Sequence, residues 1–185
     1  TALCAGAKAA LTKDSALSAA TSAAFPGMAY STEATCHFPY QLLSYNGMRV
    51  LLTLDGPPGD ACHGCGGELS AYVFTGEDKA ARPVHVLRKF AQTGSFGHPG
   101  EVTAIRLGNE NGFVVESGFT GQGYTTVVLV VFVLQYGKII DLTKNKVILV
   151  GKDNGGAVGE GPKREIITGT WAVRPAASEV VIAYS

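Results

Sequence analysis

The sequence predicts a mainly β protein: an antiparallel β-sandwich or partly open barrel of about nine or ten strands, preceded by a short helical segment. Three observations predict it. Short apolar runs rich in Val, Ile, Thr and aromatic residues follow one another from Arg49 to Tyr184, separated by Gly, Asn, Asp and Pro. No long helical pattern lies between them, as a doubly wound parallel sheet would require. Alanine dominates only the stretch ahead of Cys36.

That first stretch reads AGAKAALTKDSALSAATSAA from Ala5 to Ala24. Alanine loses no side-chain freedom in a helix, so one or two short helices are expected. Asp14 or Ser15 supplies a cap, and Pro26-Gly27 a stop. Helices this short are marginal alone and need a surface to pack on.

Beyond Cys36 the period changes. Residues 49–54 read as a strand and Asp55-Gly56-Pro57-Pro58-Gly59 as a rigid loop. Residues 69–75 and 83–90 give two more strands, the second with imperfect alternation, as when both faces are partly covered. QTGSFGHPG, residues 92–100, is a loop. Residues 102–107 and a return from Phe113 suggest a hairpin across Asn111-Gly112, a dipeptide that tolerates positive φ. Residues 122–136 carry the strongest strand signal, long enough to suggest a bulge. Residues 138–142 and 146–150 read as a hairpin across Thr143-Lys144-Asn145. A glycine-rich loop follows from Gly151 to Pro162, then strands at 165–173 and 179–184. No composition break marks a second domain, so residues 1–185 read as one, with 1–36 a disulfide-tethered helical segment and 47–185 the β-rich body.

Charge is sparse and balanced, 15 basic against 15 acidic side chains. No global field attracts a polyanion, which argues against nucleic acid as a partner. The longest apolar run, Val127 to Leu134, is far short of the ~20 residues a transmembrane helix needs. The four cysteines, Cys4, Cys36, Cys62 and Cys65, form an even set near the amino-terminal end. Such a set suggests disulfides and an oxidising compartment, periplasmic or extracellular. A first residue that is Thr1 rather than Met fits a removed export signal or a trimmed chain equally.

The stretch GDACHGCGGELSAYVF, residues 59–74, decides which chemistry the cysteines support. A redox-catalytic CxxC needs its first thiolate at a helix amino terminus, and here Gly66-Gly67 leads into a strand. Covalent haem needs a histidine after Cys65, where Gly66 stands. Metal binding by Cys36, His37, Cys62, His63 and Cys65 offers the right ligand types for zinc or copper(I). Adjacent Cys36 and His37, however, point to opposite faces of an extended segment. The favoured reading is two staples, Cys4–Cys36 and Cys62–Cys65, with crossed pairing as the rival.

No catalytic set emerges. Val115-Glu116-Ser117-Gly118 lacks the glycines of a nucleophile elbow, and His98 has no serine, cysteine or carboxylate placed beside it. The glycine loop departs from the phosphate-loop pattern and leads to a strand rather than a helix, although Lys152, Lys163 and Arg164 could assist an anion there. Asp153, Asn154 and Glu160 supply oxygens of the kind calcium takes, but not at the spacing of the twelve-residue calcium loop, so the favoured reading is a flexible or partner-contacting loop. Phe38, Tyr40 and His98 complete the candidate binding residues. The reading is an exported non-enzymatic binding protein without a cofactor. It would act as an inhibitor, immunity-type or recognition module, contacting another protein or a small extracellular ligand through loops on a β scaffold. The alternative is a metal-binding or thiol-redox protein centred on Cys62-His63-Gly64-Cys65.

Overall fold

Asp14 ends one helix and starts the next. A computed structural model of the chain describes residues 2–59, 61–76 and 82–185; Thr1 lies outside them. α1 (Ala7–Lys13) stops at Asp14, whose extended backbone breaks the helix and whose Oδ1 accepts the N–H groups of Ala16 and Leu17, each at 2.9 Å. α2 (Ser15–Ala24) therefore begins with two otherwise orphaned donors satisfied. One or two helices are expected from the sequence and two form, with Asp14, one of the two candidate caps, capping α2.

Of the described residues, contacts divide the chain into two compact units. The first comprises residues 1–99 and 136–138, the second residues 100–135 and 139–185. By content the chain is 54% strand and 13% helix in two sheets, one curled into a half-barrel. That is the mainly β class expected from the sequence, and it fits the sandwich or partly open barrel description.

In the first unit a six-stranded sheet runs in the order β2 (Tyr30–Ser31), β1 (Leu3–Cys4), β3 (His37–Tyr45), β4 (Met48–Asp55), β5 (Gly67–Thr75), β6 (His85–Thr93). β3 to β6 form an antiparallel meander, whereas β1 pairs parallel to both β2 and β3. The helices cover one face: Leu11, Leu17, Ala20 and Phe25 pack with Leu51, Tyr72 and Phe74. Burying each large apolar side chain contributes about 1.5–3 kcal/mol, which is what fixes two otherwise marginal helices. β3 lies where sequence reasoning placed only loosely clustered aromatics. Its Pro39 sits beside a register shift, with Tyr40 as the extra residue, so the missing N–H of proline falls where the ladder is already interrupted.

In the second unit the order is β13 (Glu179–Tyr184), β12 (Ile166–Arg174), β11 (Ile148–Asp153), β9 (Tyr124–Gln135), β8 (Glu110–Gly121), β7 (Glu101–Leu107), with β10 (Lys138–Asp141) also on β9. Its core gathers Ile105, Val114, Leu129, Val131 and Val150, with Trp171 and Ile182 packed against them. Trp171 Nε1 donates to Glu116 Oε2 at 2.5 Å, so the polar edge of a core indole is satisfied.

Three local readings change. The β7–β8 turn uses Gly108-Asn109, not Asn111-Gly112: Leu107 pairs with Glu110, and Gly108 has φ +59°. Gly112 lies inside β8, where an added Cβ would stand 2.3 Å from the Phe132 carbonyl oxygen of β9. β10 and β11 do not pair with each other. β11 pairs with β9 between Thr125 and Leu129, while the Leu142 N–H, just past β10, donates to the Val131 carbonyl of β9. The intervening turn forms as expected, with Asp141 accepting from Thr143 and Asn145. The irregularity expected in β9 lies instead in β11, between Leu149 and Gly151.

Candidate functional site: two disulfide-framed hollows

Both bridges form in the first unit. Parallel pairing of Leu3 with His37 brings Cys4 beside Cys36 at a Cα separation of 4.8 Å, and Cys62 closes on Cys65 at 5.0 Å. Among the described residues there is no free cysteine. The first bridge is fully buried, Cys4 at 1% and Cys36 at 2% exposure. The second stands at the surface, with Cys62 exposed and Cys65 half-buried.

The Cys62–Cys65 turn rests on the loop of residues 94–99. The Gly97 N–H donates to the Cys65 carbonyl and the Gly59 N–H to the Phe96 carbonyl, both at 2.8 Å. The His63 ring stacks on Phe96 with centroids 4.6 Å apart. The two glycines after Cys65 are what the approach requires: a Cβ on Gly66 would lie 2.4 Å from the Thr93 carbonyl oxygen, and one on Gly67 2.7 Å from that of Gly97. Gly67 opens β5 and no helix follows Cys65, so the thiol-activating dipole is missing, as the sequence indicated.

Two hollows flank the Pro57 loop. The larger, about 460 Å³, is lined by Cys4, Gly6, Ser31, Cys36, Phe38, Pro57 and neighbouring residues. The smaller, about 230 Å³, is lined by Asp55, Pro57, Cys65, Glu68, Gln92 and Gly97 among others. The larger hollow has both halves of the Cys4–Cys36 cystine in its wall and the smaller has Cys65; the stiff Pro57 lines both and Pro58 the larger.

Two carboxylates of the smaller hollow's lining, Asp55 and Glu68, are paired with side chains beyond it. His37 Nδ1 lies 2.9 Å from Asp55 Oδ1, and Phe25 stacks on the imidazole at 5.1 Å. Lys89 Nζ reaches Glu68 Oε2 at 2.7 Å and Asp55 Oδ2 at 3.9 Å. Its pKa is raised, chiefly by the hydrogen bond it donates to Glu68. Lys89 reaches this position because its backbone takes φ +50°, at a bulge where its N–H donates to Ser70 Oγ. Burial raises the Tyr72 phenol, Arg88 opposes that shift and Asp55 adds to it.

The sequence-selected residues distribute unevenly over this surface. Phe38 is half-buried, lines the larger hollow and packs against the helices. Tyr40 is half-buried at the bulge two residues on. His98 belongs to the loop under the Cys62–Cys65 turn, exchanging backbone hydrogen bonds with Ser95. The alternative metal set is not assembled. All four sulfurs are bonded to sulfur, His37 is taken by Asp55, and His63 lies on Phe96. Among the described residues no three His, Cys, Asp or Glu side chains group as metal ligands.

The glycine loop of the second unit is built differently from its composition. It contains a single helical turn, α3 (Gly155–Val158), and its charges are paired internally: Lys152 with Glu165 at 2.6 Å, and Arg164 with Asp153 at 2.8 Å and with Glu160. Asn154, 7% exposed, pins both ends of the loop, donating to the Lys163 carbonyl and accepting the Glu165 N–H. The Asp153 carboxyl is held low by Arg164 and the Gly155 N–H, and Glu165 by Lys152. Lys163 is exposed on the same loop. Lys152, Asp153, Asn154 and Arg164 thus organise the loop itself.

Sequence reasoning missed Gly6, Ser31, Pro57, Glu68 and Lys89. The one signal available was Pro57-Pro58 placed between two cysteine pairs, which marks a stiff, staple-flanked loop.

Compared with known proteins, the chain matches no family model, no curated protein and no solved structure.

Proposed function

We propose that the chain is an exported, non-enzymatic binding protein whose recognition surface is the disulfide-framed end of the first unit. The larger hollow receives an apolar group of a partner protein or small extracellular ligand. Its volume, about 460 Å³, falls within the range of small-molecule sites, and Phe38, Pro57 and the buried cystine give it a mainly apolar, stiff wall. A wall fixed by a bridge and two prolines loses little freedom on binding, which favours recognition. The two bridges support export, since disulfides persist in oxidising compartments. No helix among the described residues is long and apolar enough to cross a membrane.

The observation that carries the reading is the hollow itself. Its test is a ¹H–¹⁵N spectral titration with small aromatic and aliphatic probes and capped apolar peptides. Amide shifts should cluster at Gly6, Ser31, Thr32 and Cys36. Gly6 has φ −63° and an added Cβ would meet only Phe38, at 4.0 Å, so Gly6→Phe enters the hollow without backbone strain and should abolish those shifts. Shifts that fall elsewhere, or that survive Gly6→Phe, would refute the assignment.

A further inference from the structure

The two bridges differ in access, and that difference assigns a chemical site. Cys4–Cys36 is buried, at 1% and 2% exposure, where β1 meets the start of β3 at the floor of the larger hollow. Cys62–Cys65 closes a four-residue turn whose first sulfur-bearing residue is exposed. We propose that Cys62–Cys65 is a thiol–disulfide exchange site, reduced by a partner protein dithiol and re-formed when the partner's disulfide runs the same exchange in reverse, and that its state sets the wall of the smaller hollow.

The exchange is an in-line displacement at sulfur, so the attacked atom must be open to the incoming thiolate. Cys62 meets that condition and Cys65, half-buried in the hollow wall, is the leaving group. A thiolate of the partner attacks Cys62 Sγ, forming a mixed disulfide. The Cys62–Cys65 bond breaks, its electron pair leaves on Cys65 Sγ, and that sulfur takes a proton from water. The partner's second thiolate then attacks its own sulfur in the mixed disulfide and releases Cys62, which is protonated. One disulfide and one dithiol are consumed and one of each is formed, so two electrons pass without another oxidant or reductant. The absence of a helix after Cys65 makes the reduced pair a poor attacking thiol, which casts this site as the target of exchange rather than its catalyst.

The consequence is local. Ala61, Cys65, Gly66 and Gly97 wall the smaller hollow. Once the bridge opens, that wall is held by the Gly97 N–H to Cys65 carbonyl bond, the Gly59 N–H to Phe96 carbonyl bond and the His63–Phe96 stack. The helices and the buried bridge lie outside this set.

The test treats the native, fully oxidised protein with reduced thioredoxin as the protein dithiol, quenches with iodoacetamide over time, and maps the peptides by mass. Cys62 and Cys65 should be labelled at least about tenfold faster than Cys4 and Cys36. Hydrogen exchange should accelerate in residues 59–67 and 94–99 and stay unchanged in α1 and α2. Comparable labelling of both bridges, earlier labelling of Cys4–Cys36, or labelling only after denaturant would overturn the exchange site. Selective reduction with unchanged hydrogen exchange in both loops would overturn the control of the hollow wall. The timing is read on the wild-type chain, so it does not depend on a variant that folds, and it is independent of whether the larger hollow binds a ligand.

Discussion

His37 and Asp55 face each other across the first rung of the β3–β4 ladder, with Nδ1 2.9 Å from Oδ1 and the imidazole 7% exposed. Removing the ring strands a carboxylate that is itself largely shielded, with Lys89 at 3.9 Å as its remaining ion-pair partner among the described residues. His37→Leu should therefore destabilise the first unit by about 1–3 kcal/mol in urea denaturation. Combining it with Asp55→Leu should cost less than the sum of the two single changes. Strict additivity would show that the pair does not interact.

The buried bridge closes a separation of 32 residues and ties the helical segment to the sheet. Replacing both Cys4 and Cys36 with Ala should cost about 3–4 kcal/mol by loop entropy. Replacing Cys62 and Cys65, separated by 3 residues, should cost less. Paired denaturation curves check the order.

Asp14 caps α2 through two backbone N–H groups. Asp14→Ala should lower stability by about 1 kcal/mol, while Asp14→Ser should retain most of it. A matching loss in both variants would mean that the charge, not the cap, matters at this position.

Asp141 gives a pH signature. Burial raises its pKa, but the hydrogen bonds from Thr143 and the turn amides outweigh that and leave it lowered from 3.8. A depressed folded pKa means stability present above the unfolded value and lost as pH falls through the folded one. Asp141→Asn should thus be less stable than the wild type at neutral pH, with the gap narrowing as pH falls below about 4. Urea midpoints at both ends of that window test it; a constant gap would contradict the assignment.

Gly112 has no room for a side chain, since a Cβ would meet the Phe132 carbonyl oxygen at 2.3 Å. Gly112→Ala should cost at least about 1–3 kcal/mol by overpacking against backbone, measurable as a lowered thermal midpoint.

That glycine also shows what the sequence conveys and what it withholds. GNENG offers two turn dipeptides of similar chemistry, and local preference favours Asn111-Gly112. The pairing on both sides of β8 decides otherwise: Gly112 pairs with Ile105 of β7 and with Val133 of β9, so it lies inside the ladder rather than at the turn. Local signals succeeded where local physics governs: the Asp14 cap, the alanine helices, the β-branched run of β9. They failed where one strand hosts two partners, because adjacency of residues 138–142 and 146–150 suggests a hairpin while β9 offers an edge long enough for both. Composition misjudged the loop after Gly151, since its order comes from Asn154 and Arg164 bonding across it. The hollows were illegible for the same reason. Phe38 is a candidate contact residue in a segment expected to be partly exposed, and nothing local indicates that Gly6, Ser31 and Pro57 converge around it.

Sulfur chemistry organises the first unit: a buried bridge ties the helices to the sheet, and a more exposed one frames the neighbouring loop. Proteolysis of the purified native chain without reductant, followed by mass mapping of linked peptides, tests this most directly. It should recover Cys4 joined to Cys36 and Cys62 joined to Cys65 within one peptide. Recovery of Cys4 or Cys36 linked to either member of the 62–65 pair, or of free thiols accompanied by a bound metal ion, would contradict it.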